Sequence, residues 1–305
     1  MTSWIHFEWE GDTIGAHYYD KAAILIPFHL AGIPGSFTMQ FDLGAPVSML
    51  YGNTAGPLLA RHPELLQKLD TTNKTGIIEG RPVGALQDVS FYLDTVLFTH
   101  RQLAWFAGFG DSLSTADTAS ASDQPAIIGT IGADLLADKV LVIDFPGQRL
   151  AIVDSLAVPD TSRLVDIEIT HGRILVPVRV NGTEHKVLFD TGSSLMSLFL
   201  STRNWDAYRD VSQPPDTLRV QAWGQYYNLY MAPAKAQVAI GHTVLQPDSI
   251  MANDLPQYYE FYKNLGILGI MGNRMFYDKV VVIDFKHQQF GVFEKDNSGF
   301  TANGE

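Results

Sequence analysis

Two short stretches hold the side chains best placed to do chemistry. In FDTGSS, Phe189 to Ser194, an apolar run ends on Asp190. Gly192 then permits a turn that a Cβ would obstruct, and Thr191 and Ser193 bring hydroxyls able to hold the loop and the carboxylate. FDLGAP, from Phe41, sets Asp42 and Gly44 in the same positions of a second such loop. Two carboxylates brought to about 3 Å cannot easily both ionise, because their repulsion at an effective dielectric of about 20 is roughly 5 kcal/mol, or about four pKa units. Sharing one proton, such a pair has an acid that can donate to a carbonyl oxygen. It also has a base that can take a proton from water, so general acid/base hydrolysis needs no covalent intermediate.

The two loops belong to a duplicated chain. ILIPFHLAGIPGSFTMQFDLGAPVSMLY, Ile24 to Tyr51, is matched by ILVPVRVNGTEHKVLFDTGSSLMSLFL, Ile174 to Leu200, with the aspartates 190 − 42 = 148 positions apart. IIGTIGADLLADKVLVIDFPGQRLAIV, from Ile127, is matched by ILGIMGNRMFYDKVVVIDFKHQQFGVF, from Ile267, at an offset of 267 − 127 = 140. Repeats in the same order at nearly one offset predict two like units, residues 1–153 and 166–305, joined by a connection at 154–165. If the units pack about an approximate twofold axis, Asp42 and Asp190 converge between them. One chain then supplies both carboxylates, and an oligomer is not required for the site. The stretch before Ile24 is short enough to serve as an extra strand between the units.

Short bursts of Val, Ile, Phe and Tyr broken by 26 glycines and 15 prolines predict an all-β, β-rich chain with a few short helices. Helices are expected at HPELLQKLD, from His62, and near Asn204 to Tyr208. Asp111 to Gln124, rich in Ser, Thr, Ala and Asp, is expected to be a surface loop. A formal charge of −12 argues against nucleic acid or an anionic membrane as partner. With no cysteine, thiolate catalysis, disulfides and thiolate-bound zinc are excluded. The nine histidines fall in no ligand spacing, so neither metal nor other cofactor is expected. No apolar run approaches the roughly 20 residues that span a bilayer, and the start, MTSWIHFEWEGD, does not read as a secretory signal. A soluble chain is expected; the compartment, cytoplasmic or beyond a removed leader, stays open.

FDTGSS followed by Ile267-Leu268-Gly269 resembles the Asp-Thr-Gly and hydrophobic-hydrophobic-Gly signature of the pepsin-like and retropepsin-like aspartic peptidases, and Ile127-Ile128-Gly129 with Ala133-Asp134-Leu135-Leu136 resembles the retropepsin block. The resemblance covers residues from about 22 to 293. It implies a bilobal acid-protease fold with a hairpin flap over the cleft between lobes, Asp42 and Asp190 as the catalytic pair, and a peptide or unfolded protein as substrate. Leu43 stands where the family has threonine, so a reciprocal hydroxyl clasp between the loops is expected to lose one arm. Ala45 and Pro46 also alter this loop. Ser193 can donate to Asp190 while Ala45 offers Asp42 nothing comparable, which places the proton on Asp42. The alternative function is a catalytically impaired protein of this fold that binds a peptide or protein in its cleft.

The first-half hairpin near Gly80 has no aromatic tip, whereas the second-half hairpin carries Trp223, Tyr226 and Tyr227. These aromatics are expected either to help cover the cleft or to pack beneath the hairpin. Asp144 and Asp284, in matching VIDF strands, are expected to be structural.

Overall fold

The strand Phe37–Phe41 buries Phe37, Met39 and Phe41 and leaves Thr38 and Gln40 half covered, the period of two of a strand with one apolar face. Its second-half counterpart, Thr183–Phe189, ends on three buried residues in succession, Val187, Leu188 and Phe189, as a strand covered on both faces must. The computed structural model describes residues 3–72, 76–78, 81–113, 125–158, 160–222, 225–295 and 301–302. Residues 114–124 of the expected surface loop lie outside these.

The two strands enter sheets of one plan. Phe37–Phe41 runs antiparallel to His17–Leu30 and parallel to Ile127–Ile131, which in turn runs antiparallel to Met49–Tyr51. Thr183–Phe189 runs antiparallel to Arg173–Val180 and parallel to Ile270–Met271, which runs antiparallel to Leu198–Ser201. In each sheet the parallel neighbour reaches the residue before the aspartate: Ile131 lies opposite Phe41, and Met271 opposite Phe189.

A third sheet joins the halves. Its six strands follow the order Ile5–His6, Arg149–Val153, Val140–Asp144, Lys279–Asp284, Gln289–Glu294 and Leu164–Asp166. At its centre the VIDF strands run antiparallel, with Val142 facing Val282. These residues are 282 − 142 = 140 positions apart, the repeat offset, so the approximate twofold axis passes between them. The outer strands obey it as well: Ile5 pairs with Leu150 and Val165 with Phe290, and 290 − 150 = 140. The stretch before Ile24 thus supplies an outer strand of this joining sheet, paired with Arg149–Val153 of the first half, and does not lie between the halves as expected. The connection at 154–165 is more than a tether, since its last residues begin the strand Leu164–Asp166.

One apolar core runs from half to half, linking Ile24, Phe41 and Phe145 to Phe189, Phe276 and Phe290. Phe189 meets Phe276 and Phe290 edge-on at 5.7 and 5.2 Å, and Phe276 stacks on Phe145 at 6.4 Å. Packing of this kind fixes the two aspartate loops relative to one another.

Three α-helices occur among the described residues, Gly52–Arg61, Pro63–Leu66 and Pro256–Leu265. The helix expected from His62 is a single turn, and the one expected near Asn204 is a 3-10 turn, Trp205–Ala207. No helix among the described residues is long and apolar enough to cross a membrane.

Candidate active site

The backbone beyond each strand is pinned before its carboxylate is reached. Asp42 N–H donates to the Ile131 carbonyl and Asp190 N–H to the Met271 carbonyl, both at 3.0 Å. Each loop then folds back on its own aspartate. Gly44 and Ala45 N–H donate to Asp42 Oδ1 at 2.9 and 3.2 Å. Gly192 N–H donates to Asp190 Oδ1 at 2.8 Å, and Ser193 Oγ to Asp190 Oδ2 at 2.9 Å.

The glycines face the opposite carboxylates. A Cβ on Gly44 would lie 2.5 Å from Asp190 Oδ1, and one on Gly192 would lie 2.5 Å from Asp42 Cγ. Neither position carries a left-handed φ. Close approach, and not backbone strain, is what demands glycine here.

The clasp between the loops has the expected single arm. Thr191 Oγ1 accepts from Leu43 N–H at 2.9 Å and donates to the Phe41 carbonyl at 3.0 Å. Leu43 is fully buried and returns only apolar contact, as part of the common core.

A second tier of support was not anticipated. Asp134 Oδ1 accepts from Ser48 N–H and Oγ at 2.8 and 2.6 Å, and Ser48 Oγ accepts from Gly132 N–H at 3.0 Å. In the other half Asn273 Nδ2 donates to the Thr191 carbonyl at 2.7 Å and to Ser194 Oγ at 2.8 Å. A Cβ on Gly132 would lie 2.6 Å from the Val47 carbonyl carbon, and one on Gly272 only 1.9 Å from the Ser193 carbonyl oxygen. The signal in the sequence is a repeated Gly-x-x-Gly, Gly129 to Gly132 and Gly269 to Gly272, whose second glycine abuts the aspartate loop.

Burial pushes the Asp42 carboxyl well above the usual carboxylate range, and the charge and hydrogen bond of Asp190 push the same way, against the lowering pull of the Ala45 and Gly44 N–H groups. Asp190 has a hydroxyl donor in Ser193 that has no counterpart on Asp42. The raised Asp42 carboxyl favours its protonated form, and a protonated carboxyl beside a second carboxyl is an arrangement that can serve as acid and base together.

Both open onto a cleft of about 890 Å³. Ala45, Pro46 and Val47 bound it on the first-half side, together with Ile77 and Val83 from the hairpin of Gly76–Ile78 and Arg81–Leu93. Ile77 is 76% exposed and lines the cavity. Gly80 and Trp223 lie outside the described residues. The second-half wall carries Leu188, Tyr227, Leu255, Tyr258 and Phe261.

Tyr226 does not belong to this wall. It is 63% exposed, and the Arg219 guanidinium lies 5.3 Å from its ring. The cleft aromatic is Tyr227. Side chains alternate along the strand Gln225–Pro233, so only one of these neighbours can face inward.

The VIDF carboxylates lie outside the cleft lining and close turns. Asp144 accepts from Gly147 N–H and Arg149 Nε, each at 2.9 Å; Asp284 accepts from His287 N–H at 2.8 Å. Replacing Asp144 by alanine is expected to cost about 1–2 kcal/mol in urea denaturation and to leave the pH dependence contributed by the Asp42–Asp190 pair unchanged. Among the described residues no group of three or more His, Asp or Glu side chains is placed to hold a metal ion. No protein-family model matches the chain, and no curated protein matches it.

Proposed function

We propose that this chain is an aspartic endopeptidase of pepsin-like, bilobal architecture that hydrolyses peptide bonds in an extended or unfolded segment laid across the cleft. The observation that carries the reading is the reciprocal placement of Asp42 and Asp190, each carboxyl against the other loop's glycine at the mouth of the cavity. Asp42, protonated, donates to the carbonyl oxygen of the scissile bond. Asp190, ionised, takes a proton from a water as its oxygen attacks the carbonyl carbon, giving a tetrahedral diol. Asp190 then passes that proton to the departing nitrogen, the C–N bond breaks, and Asp42 recovers its proton from a diol hydroxyl. Apolar side chains on both walls suit apolar residues of the peptide on either side of the cut.

Leu43 favours a second reading, a cleft kept for binding a peptide or protein without cleaving it, because one arm of support for the pair is absent. Incubation with an unfolded protein between about pH 3 and 7, with and without pepstatin and with Asp190→Asn as control, separates the two. Pepstatin-sensitive cleavage that disappears in Asp190→Asn supports the peptidase. Cleavage that survives the substitution rules out the pair, and no cleavage at any pH leaves the binding protein.

A further inference from the structure

Arg173 is the single cation among the described residues lining the cleft, alongside the carboxyl groups of Asp42, Asp134 and Asp190. An arginine so placed, in a chain of net charge −12, is expected to pair with one of them. It makes no ion pair among the described residues. Asp134 Oδ1 is taken up by Ser48, and the two central aspartates by their own loops. The Arg173 guanidinium instead lies 5.5 Å from the centre of the Phe261 ring, a partner that takes no hydrogen bond from its edge donors.

The mounting is rigid. Thr170 pairs with Arg173 across a two-residue turn in which His171 and Gly172 have φ of 51° and 76°, the left-handed pair such a tight hairpin requires. A Cβ on Gly172 would lie 2.9 Å from Pro46 Cβ, so the turn is seated on the first-half aspartate loop. Leu175 lies opposite Leu188. By the two-residue period, Arg173 and Asp190 lie on the same face of the sheet, the face that lines the cleft.

We propose that Arg173 makes the cleft select peptides bearing a carboxylate close to the bond over the aspartate pair, an inference that rests on the cleft being a peptide site. A planar guanidinium with free donors accepts a carboxylate through two parallel hydrogen bonds. That carboxylate is either an Asp or Glu side chain or the free C-terminus of the peptide.

Two sets of short, fluorescently tagged peptides of Ala, Val, Leu and Phe test this. The first has both ends blocked and a single Glu or Gln stepped along the sequence; the second has no acidic residue and ends in a free carboxylate or an amide. Binding to the Asp190→Asn protein is read by fluorescence anisotropy, and hydrolysis is followed with the unaltered enzyme. At one position, or at the free C-terminus, the charged peptide is expected to bind at least about tenfold tighter than its neutral match. Arg173→Gln in the same background brings that ratio to about one. Arg173→Lys leaves an intermediate ratio, because an ammonium keeps the charge without the fork. A preference in the first set assigns the side chain, and one in the second assigns the C-terminus. Equal binding of charged and neutral peptides, no binding of either, or a preference that survives Arg173→Gln overturns the inference. Hydrolysis distinguishes the two proposals: a carboxylate preference without any cleavage overturns the peptidase alone, and cleavage without a preference overturns only the role of Arg173.

Discussion

Replacing Asp42 by asparagine is expected to reduce hydrolysis by about 10²–10⁴-fold and, at neutral pH, to make the protein more stable. The loss follows from removing the acid that polarises the carbonyl, in a mechanism where a positioned proton donor contributes about 10²–10⁴-fold. The gain follows from linkage. In the folded chain burial and the Asp190 charge hold the Asp42 carboxyl well above the usual range, whereas unfolded it titrates near the ordinary value of about 3.9. Between those two values the folded protein keeps a proton that the unfolded chain has lost, so stability falls as pH rises through that window and levels off above it. Asparagine has no proton to lose. Urea denaturation of both proteins between about pH 3 and 8 should give curves that nearly coincide in acid and diverge towards neutrality, the variant above. The carboxylates held low by surface partners, such as Asp88 and Asp160, act on both proteins alike and drop out of the difference. Parallel curves would show that Asp42 is not the member holding the proton. Under the proposed mechanism, hydrolysis by the unaltered protein is expected to decline only as pH rises past the upper end of that window, where the folded pair gives up the proton it donates.

The aspartate pair was legible because duplication wrote it twice. Asp190 stands in an intact loop, and Asp42 is found by its place in the repeat even though Leu43, Ala45 and Pro46 alter the sequence around it. The single-armed clasp was legible for the same reason, as a side-chain hydroxyl is either present or not. Less legible was everything that depends on tertiary partners. Gly52–Arg61 contains two glycines and an internal proline, a composition that argues against a helix, yet Ala55, Leu58 and Leu59 bury one face of it and packing outweighs propensity. Pro256–Leu265 is rich in Tyr and Phe, which favour strands by propensity. Pro256 at the first turn and Gly266, left-handed at the end, are the marks of a helix that composition obscures. This helix supplies Tyr258 and Phe261 to the cleft, so missing it hid half of a wall. Tyr226 and Tyr227 show the remaining limit: an aromatic pair announces a surface, but a register shift of one residue decides which of them faces it.

The single arm of the clasp makes equivalent positions of the two loops unequal, and that inequality is the second large effect expected. Thr191→Val keeps the shape of the side chain and removes its hydroxyl, leaving the Leu43 N–H and the Phe41 carbonyl, both buried, without their partner. Each orphaned group costs about 1–3 kcal/mol, so a loss of about 2–6 kcal/mol is expected in urea denaturation. Hydrolysis should fall by about 10²-fold in the fraction that remains folded, because displacement of a reacting group by about 1 Å has that consequence. Thr191→Ser retains the hydroxyl and loses one methyl, and should cost about 1 kcal/mol with most activity kept. At the equivalent first-half position Leu43→Val removes one methylene from the core and no hydrogen bond, again about 1 kcal/mol. In a symmetric clasp the substitutions at 43 and 191 would be equally harmful. Here the second-half loop holds the first-half loop through Thr191 and receives only apolar packing from Leu43 in return, so damage to Thr191 should displace Asp42, while damage to Leu43 leaves the pair together.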